Sequence, residues 1–436
     1  MESEDQEGAN EEAILPASMC PPAHGQDGDS CGSFVLLDYT AYFADRSYAT
    51  TASCKMRDGK GFIHVTFYAA APPLVSYFCV HFTGGLKLSH FATEPEIVDS
   101  EGGIVLLRAP LGDQYHSLDH DISEYFIYHV GAMGEDPSLT QLPHPRPYEL
   151  LDHQTSIMRH CANDYHDCSH CKYTIASLIP HMGKSYHLVL FRSDAMACSR
   201  QTILLAVKNA RPHASTSMTI TIGGKRGTMG WVDLWRGILF CDVLTADGQH
   251  TLRFVPLPPP HVEDKVFDRI SRDIAVVNGV IKYIGLQVRV VPGSSFGCGA
   301  YTLDGWSPAQ WSMQITDTLS KKFKLDYVLD ASDIPDTLKL KVDAGTAQPT
   351  LKTLHIGQPI LSLQDDDIVY LLAKVDHRDE DCNGWVLAVD TKSKKIRGVS
   401  EFGVQRTLGL SLVYIASRIS EYLKVTPGNH IIASYS

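Results

Sequence analysis

From Ser33 onward the sequence is built from short apolar runs, each closed by Gly, Pro, Asp or Asn. "SFVLLD" starts at Ser33, "FIHVTFYA" at Phe62, "LVSYFCVHF" at Leu74, "GIVLL" at Gly103 and "EYFIYHV" at Glu124. "HLVLF" at His187, "SMTITI" at Ser217, "GILFCDVL" at Gly237, "GVIKYIGLQVRVV" at Gly279, "DIVYLLAKV" at Asp367 and "GWVLAV" at Gly384 continue the pattern. These are strand lengths, rich in the β-branched and aromatic residues that suit a pleated surface. Long amphipathic helical periodicity is nearly absent. "SLVYIASRISEYL" from Ser411 fits either a terminal helix or a strand followed by a turn. Many short strands with recurrent turn signals confine the chain to a sandwich, a barrel or a propeller. At 436 residues and 44% hydrophobic it has the apolar mass for a large core.

Spacing selects among these. Apolar strands begin near Gly237, Gly279, Leu325 and Asp367, 42, 46 and 42 residues apart. Propeller blades, each a four-stranded sheet, repeat at about 40–50 residues. "DIVYLLAKVD" runs out, "HRDEDCNG" turns with Asn383-Gly384 suited to positive φ, "WVLAVD" returns, and "RGVSEF" adds a third strand. That is a β-meander. The expected fold is all-β and β-propeller-like, with six or seven blades of antiparallel meander sheets in a single domain over residues 32–425. Insertions at Asp113–Asp121 and Pro137–Pro147 consume part of the length.

Eight of the twelve net negative charges fall in residues 1–30, which carry no Lys or Arg, leaving −4 for the rest. The head is poor in large apolar residues, so residues 1–31 are expected to form a disordered acidic tail. Residues 426–436 are expected to be a C-terminal tail. A near-neutral body lacks the basic footprint of a nucleic-acid binder. The acidic N-terminus does not resemble a secretory signal, and no apolar run is long enough to cross a bilayer. Eleven cysteines, an odd number, and no Asn-x-Ser/Thr sequon point to free thiols in a reducing compartment. The expected location is cytoplasmic or nuclear, without membrane attachment.

The densest motif is "GWVDLWRGILFCDVL", Gly230 to Leu244, followed by "LRFVPLPPP" from Leu252. "WVDLW" reads as the end of one strand, Arg236-Gly237 as a bend and "ILFCDVL" as the next strand. Trp231 and Trp235 are expected to supply rigid surface to an inter-blade core. Asp233 is expected to accept from Arg236 or from backbone N–H groups at the bend. "PLPPP" reads as a stiff connector rather than a polyproline ligand. With "PSLTQLP" from Pro137, "LVLFRSD" from Leu188, "RDIAVVNGVIKYI" from Arg272, "QPILSLQDDDIVYLLAK" from Gln358 and "WVLAVDTKSKKIRGVSEFG" from Trp385, this motif resembles the plant domain of unknown function 1618 family, which is expanded in grasses. The resemblance spans residues 33–423, with a family signature region at about 229–375. A more distant resemblance is to the propeller-like associated domains of F-box proteins, though no F-box helices precede the sheet. The family implies no activity. After "LFRSD" it implies a Trp where this chain reads "AMACSR", so Cys198 stands in for a packing anchor and that region is expected to be looser.

Chemistry-bearing patterns are few. "HCANDYHDCSHC", His160 to Cys171, offers Cys161, His166, Cys168, His170 and Cys171, with His153 and His181 nearby. Cys168-x-x-Cys171 has zinc-knuckle spacing, but the second half of a zinc-finger pattern is missing and a solvated loop competes. "GSSFG" around Ser295 matches a nucleophile elbow without the following helix. "GGKRG", Gly223 to Gly227, resembles a phosphate cradle without Walker order and reads better as a hairpin turn. The acidic runs Asp365–Asp367 and Asp376–Asp381 lack EF-hand spacing and read as solvated turns. No catalytic, cofactor or metal residue is assigned, and no cofactor is expected.

The expected function is a non-enzymatic protein-interaction scaffold. Its protein partner would meet the loops at Asp113–Asp121, Pro137–Pro147, His160–Cys171 and His377–Asn383. The rival readings are a propeller-type hydrolase or sugar-active enzyme working in the channel, and a zinc-stabilised module built on the Cys161–Cys171 loop. An ionisable cluster with perturbed pKa values in the channel would favour the enzyme; an apolar or sealed channel would disfavour it.

Overall fold

The computed structural model describes residues 14–25, 31–59, 61–112, 123–131, 135–145, 148, 150–160, 172–205, 213–258, 268–294, 302–316, 322–335, 338–340, 348–376, 384–403 and 413–423. They form six blades arranged as a ring, antiparallel throughout except where Val35–Asp38 and Tyr42–Phe43 of the first blade run parallel to Val75–Gly84. The first blade holds β1 (Val35–Asp38), β2 (Tyr42–Phe43), β3 (Ala52–Lys55), β4 (Gly61–Tyr68) and β5 (Val75–Gly84). Blade two is β6 (Glu96–Glu101), β7 (Ile104–Pro110), β8 (Ser123–His129) and β9 (Ser138–Gln141). Blade three is β10 (Thr155–His160), β11 (Lys172–Pro180), β12 (Ser185–Arg192) and β13 (Ala197–Leu204). Blade four is β14 (Met218–Gly223), β15 (Thr228–Asp233), β16 (Gly237–Asp242) and β17 (Leu252–Pro256). Blade five is β18 (Arg272–Val277), β19 (Val280–Val290), β20 (Leu303–Gln314) and β21 (Lys324–Val328). Blade six is β22 (His355–Leu361), β23 (Ile368–Lys374), β24 (Gly384–Asp390) and β25 (Lys395–Phe402).

β26 (Tyr414–Ser417) closes the ring. It pairs antiparallel with β1, Val35 opposite Ser417, while β1 runs parallel to β5. The end of the chain is thus zipped into the blade that holds its beginning. The "SLVYIASRISEYL" segment resolves into this strand and a 3₁₀ turn at Ile419–Tyr422.

Each strand's pattern follows from its place in a blade. Middle strands are covered on both faces by neighbouring blades, so β7 and β24 are buried along their whole length. Outer strands touch solvent, and β25 alternates buried and exposed positions. Side chains of successive residues point to opposite faces. In β15, Met229 and Trp231 therefore enter the core shared with blade three, and Val232 the core shared with blade five. In β16, Leu239 and Cys241 face one way, Ile238 and Phe240 the other. Every adjacent pair of blades shares such a core, including the first with the sixth through Phe34, Leu36, Tyr370 and Val386. Gly237 is required by close approach: a Cβ there would lie 2.5 Å from the Phe254 ring and the Val255 carbonyl.

Two expectations change. The 42–46-residue interval links unlike strands: β16 is third in its blade, β19 and β23 second, and β21 fourth. Equivalent second strands begin at Ile104, Lys172, Thr228, Val280 and Ile368, with no fixed period. The acidic head is also shorter than residues 1–31. Ile14 is buried in the core between blades one and two, and Leu15 N and Ser18 Oγ donate to Glu94 Oε1 at 3.1 and 2.5 Å. Tyr77 OH donates to the carbonyls of Pro22 and His24. The physical reason is composition: the acidic residues lie outside residues 14–25, where Ile14, Leu15, Met19 and three prolines supply apolar surface. Residues 1–13, 26–30 and 424–436 lie outside the described residues. Among the described residues, no helix is long and apolar enough to cross a membrane.

Candidate functional site: the central channel

All six innermost strands, β6, β10, β14, β18, β22 and β26, contribute to the wall of a central cavity of about 650 Å³. An inner strand turns one face to this axis, and here that face is ionisable. Asp99 and Glu101 come from β6, Asp273 from β18, and Asp152 from a 3₁₀ turn before β10. Arg269 projects from the one-turn helix Asp268–Ser271, and Arg418 and Glu421 follow β26. Tyr39 and Tyr422 complete the polar wall.

Two of the carboxyls link blades. Asp99 Oδ2 accepts from Ser156 Oγ at 2.5 Å and Ile157 N at 2.8 Å, on the inner strand of the next blade. Asp273 Oδ2 accepts from Leu361 N at 3.0 Å, again on the next inner strand. The same device therefore joins blades two to three and five to six. Burial pushes both carboxyls up despite these bonds, Asp273 to about 6. Arg269 faces both, and its charge opposes the rise.

At the mouth where the inner strands begin, Arg108 Nε lies 2.7 Å from Asp152 Oδ2 and Arg108 Nη2 lies 2.6 Å from Glu96 Oε2. Arg108 Nη1 also donates to Ser123 Oγ. Burial raises Asp152 to about 7, against the pull of Arg108 and with Glu96 adding to the rise. Asp152 is 9% exposed, and its Oδ1 is buried with no hydrogen-bond partner among the described residues. Tyr39 shares this end; burial raises its phenol, and Glu96 and Asp152 reinforce the shift.

At the other mouth, burial and the neighbouring Asp99 push Glu101 up to about 8, with Arg418 and Arg159 opposing. Arg418 pairs with Glu421 at 2.8 Å and donates to Leu363 O. The Arg159 guanidinium sits over the Tyr422 ring, 5.1 Å from its centroid. Glu101 and Asp99 lie deep in the molecule yet are part-exposed, because they face the cavity.

The "WVDLW" corner behaves as packing. Trp231 is fully buried, and its Nε1 donates to Gln154 O at 2.7 Å in the turn before blade three. Asp233 accepts from Trp235 N, Ala214 N and Arg236 Nη1. Trp235 turns the other way: the Arg272 guanidinium lies 3.4 Å from its ring centroid, and Arg272 Nε donates to Tyr283 OH. One motif thus clasps both neighbouring blades.

The remaining sequence candidates do not converge. Cys161 to Cys171, Ser295 and His377–Asn383 lie outside the described residues, as do all of Asp113–Asp121 and the last two prolines of "PLPPP". His153 lines the channel, while His181 stacks on His187 with centroids 4.1 Å apart. Among the described residues no group of three or more His, Cys, Asp or Glu is placed to hold a metal ion. "GGKRG" is a turn between β14 and β15. Cys198 is half-buried on β13 opposite Phe191, its thiol raised by burial. The channel residues were missed because Asp99, Asp152 and Asp273 are scattered in sequence, and only ring closure assembles them. The faint signal was acidic residues ending an inner strand, "EIVDSE" at Glu96.

Residues 231–370 match the model of a family described as a protein of unknown function, DUF1618. The matched segment runs from Trp231 in β15 to Tyr370 in β23, so it includes the clasping corner and the whole of blade five. No curated protein matches the chain. Among solved structures, the chain is similar to a hypothetical selenium-binding protein from Sulfolobus tokodaii, with 11% identity, a TM-score of 0.39, and 85% of this chain and 82% of that chain covered.

Proposed function

We propose that this protein is a recognition scaffold whose central channel binds a small, neutral, hydroxyl-rich molecule. The carrying observation is the set of carboxyls that the ring brings to the channel wall, Asp99, Glu101, Asp152 and Asp273, all raised by burial. With its carboxyl near 7, Asp152 is an acceptor in one state and a donor in the other. A hydroxyl group satisfies both. The raised carboxyls of Glu101 and Asp152 also lower the wall's charge at neutral pH, which suits a neutral ligand. The wider resemblance from residue 33 to 423 supports extending the family reading to the whole ring, with plant origin and F-box kinship as part of that proposal. In this reading the loops meet a protein partner while the channel holds the small molecule, in the cytoplasm or nucleus.

A sugar-active enzyme is the second reading, favoured by two carboxyls raised into the range of general acids. Calorimetry against a panel of monosaccharides, disaccharides and polyols tests both. Saturable binding weakened about tenfold by Asp152→Ala supports recognition. Turnover of nitrophenyl glycosides abolished by Glu101→Gln would favour the enzyme. No binding and no turnover across the panel would overturn the channel as a site for this class.

A further inference from the structure

A second pocket lies outside the channel wall, at the "GGKRG" turn of blade four. It is a cavity of about 500 Å³, lined by Gly223, Gly224, Lys225, Arg226, Thr228 and Arg253 together with Ile222, Ile315 and Thr316. Gly223 and Gly224 both adopt positive φ, 75° and 74°, which turns the chain so that Lys225 and Arg226 stand at its rim. Arg253 reaches the same space from β17.

Only one anion answers these three cations among the described residues. Asp242 Oδ2 lies 3.4 Å from Arg226 Nε, and Asp242 Oδ1 lies 3.0 Å from Arg253 Nη2 and accepts from Thr228 Oγ1 at 2.6 Å. Asp242 is thus fully engaged. It holds the two guanidiniums on one side of the pocket while leaving the remaining nitrogens of each without a partner among the described residues. Lys225 has no ion pair there either. The pocket therefore carries a surplus of two positive charges in a chain whose net charge is −12. Two guanidinium forks, each paired with Asp242, and an ammonium are the donor set that recognises tetrahedral oxyanions. Ile222 and Ile315 add apolar surface to the lining.

We propose that this pocket binds a phosphate monoester carried on an apolar or aromatic group. The oxyanion meets Lys225, Arg226 and Arg253, and the organic group lies against Ile222 and Ile315. A free metabolite and a phosphorylated tyrosine of a protein present the same chemistry.

The test is calorimetric titration of the full chain with phenyl phosphate at low ionic strength, with benzyl alcohol as the neutral control. The expected result is saturable phenyl phosphate binding and none for benzyl alcohol. Affinity should rise from pH 5 to 7, as the monoester's second proton, with a pKa of about 6, is lost. Lys225→Ala with Arg226→Ala should weaken binding by about tenfold or more, with unfolding curves showing that the ring persists. A phosphotyrosine peptide binding more tightly than phenyl phosphate would identify a protein as the source. Equal affinity would identify a free metabolite. No saturable binding to about 10 mM phenyl phosphate, or binding unchanged in the double variant, would overturn the proposal.

Discussion

Replacing Glu101 by Gln should change how stability depends on pH, and by an amount the structure sets. Burial and Asp99 lift the Glu101 carboxyl from 4.5 to about 8. A folded-state value above the unfolded one means that the folded ring holds the proton more tightly. The contribution to stability is fully present below pH 4.5 and is lost as pH rises through 8. For a group sealed from water the gap would be worth about 5 kcal/mol. Glu101 faces a water-accessible channel, and an effective dielectric nearer 20 than 4 reduces this to about 2 kcal/mol. Gln mimics the protonated acid and does not titrate. Denaturant unfolding at intervals from pH 4.5 to 9 should therefore show the parent protein losing about 2 kcal/mol relative to Glu101→Gln, with the two curves converging at the acid end. Parallel curves over that range would refute the buried, channel-facing placement of Glu101.

Other perturbations follow from the same contacts. Trp231→Phe keeps most of the ring but orphans the buried Gln154 carbonyl, so it should cost about 1–3 kcal/mol in urea unfolding. Arg236→Ala removes a half-exposed partner of Asp233 and should cost under about 1 kcal/mol, since Trp235 N and Ala214 N still donate to that carboxylate. At pH 5, Asp273→Ala leaves the Leu361 amide without its acceptor and should cost about 1–3 kcal/mol, whereas Asp273→Asn, which keeps an oxygen there, should recover most of it.

The fold was legible where burial writes an unbroken apolar run. Middle strands such as "GILFCDVL" and "WVLAVD" are covered on both faces, and both stand out in the sequence. Outer strands such as β13 and β25 alternate with solvent and carry little signal, so the apparent blade period joined the third strand of blade four, the second and fourth strands of blade five and the second strand of blade six. The corner was legible for a related reason: two tryptophans, an Asp and an Arg around a Gly bend are packing residues, and Trp231 and Trp235 each reach one neighbouring blade. The channel was not legible. Asp99, Asp152 and Asp273 come to line one cavity only when the blades close into a ring, and no local spacing encodes that. Residues 14–25 were misread because charge on either side masked a short apolar stretch that packs on blade two.

The account depends on a ring of six blades closed around the channel by the last strand. Ser100 Oγ on β6 and Ser417 Oγ on β26 lie 2.7 Å apart, 317 residues distant in sequence. Ser100→Cys combined with Ser417→Cys should form a disulfide on mild oxidation, identified as a cross-linked peptide by mass spectrometry, because side chains this close fall within disulfide reach. Recovery of that peptide is the expected result. Both cysteines remaining reducible and unlinked in folded protein would contradict the closed ring.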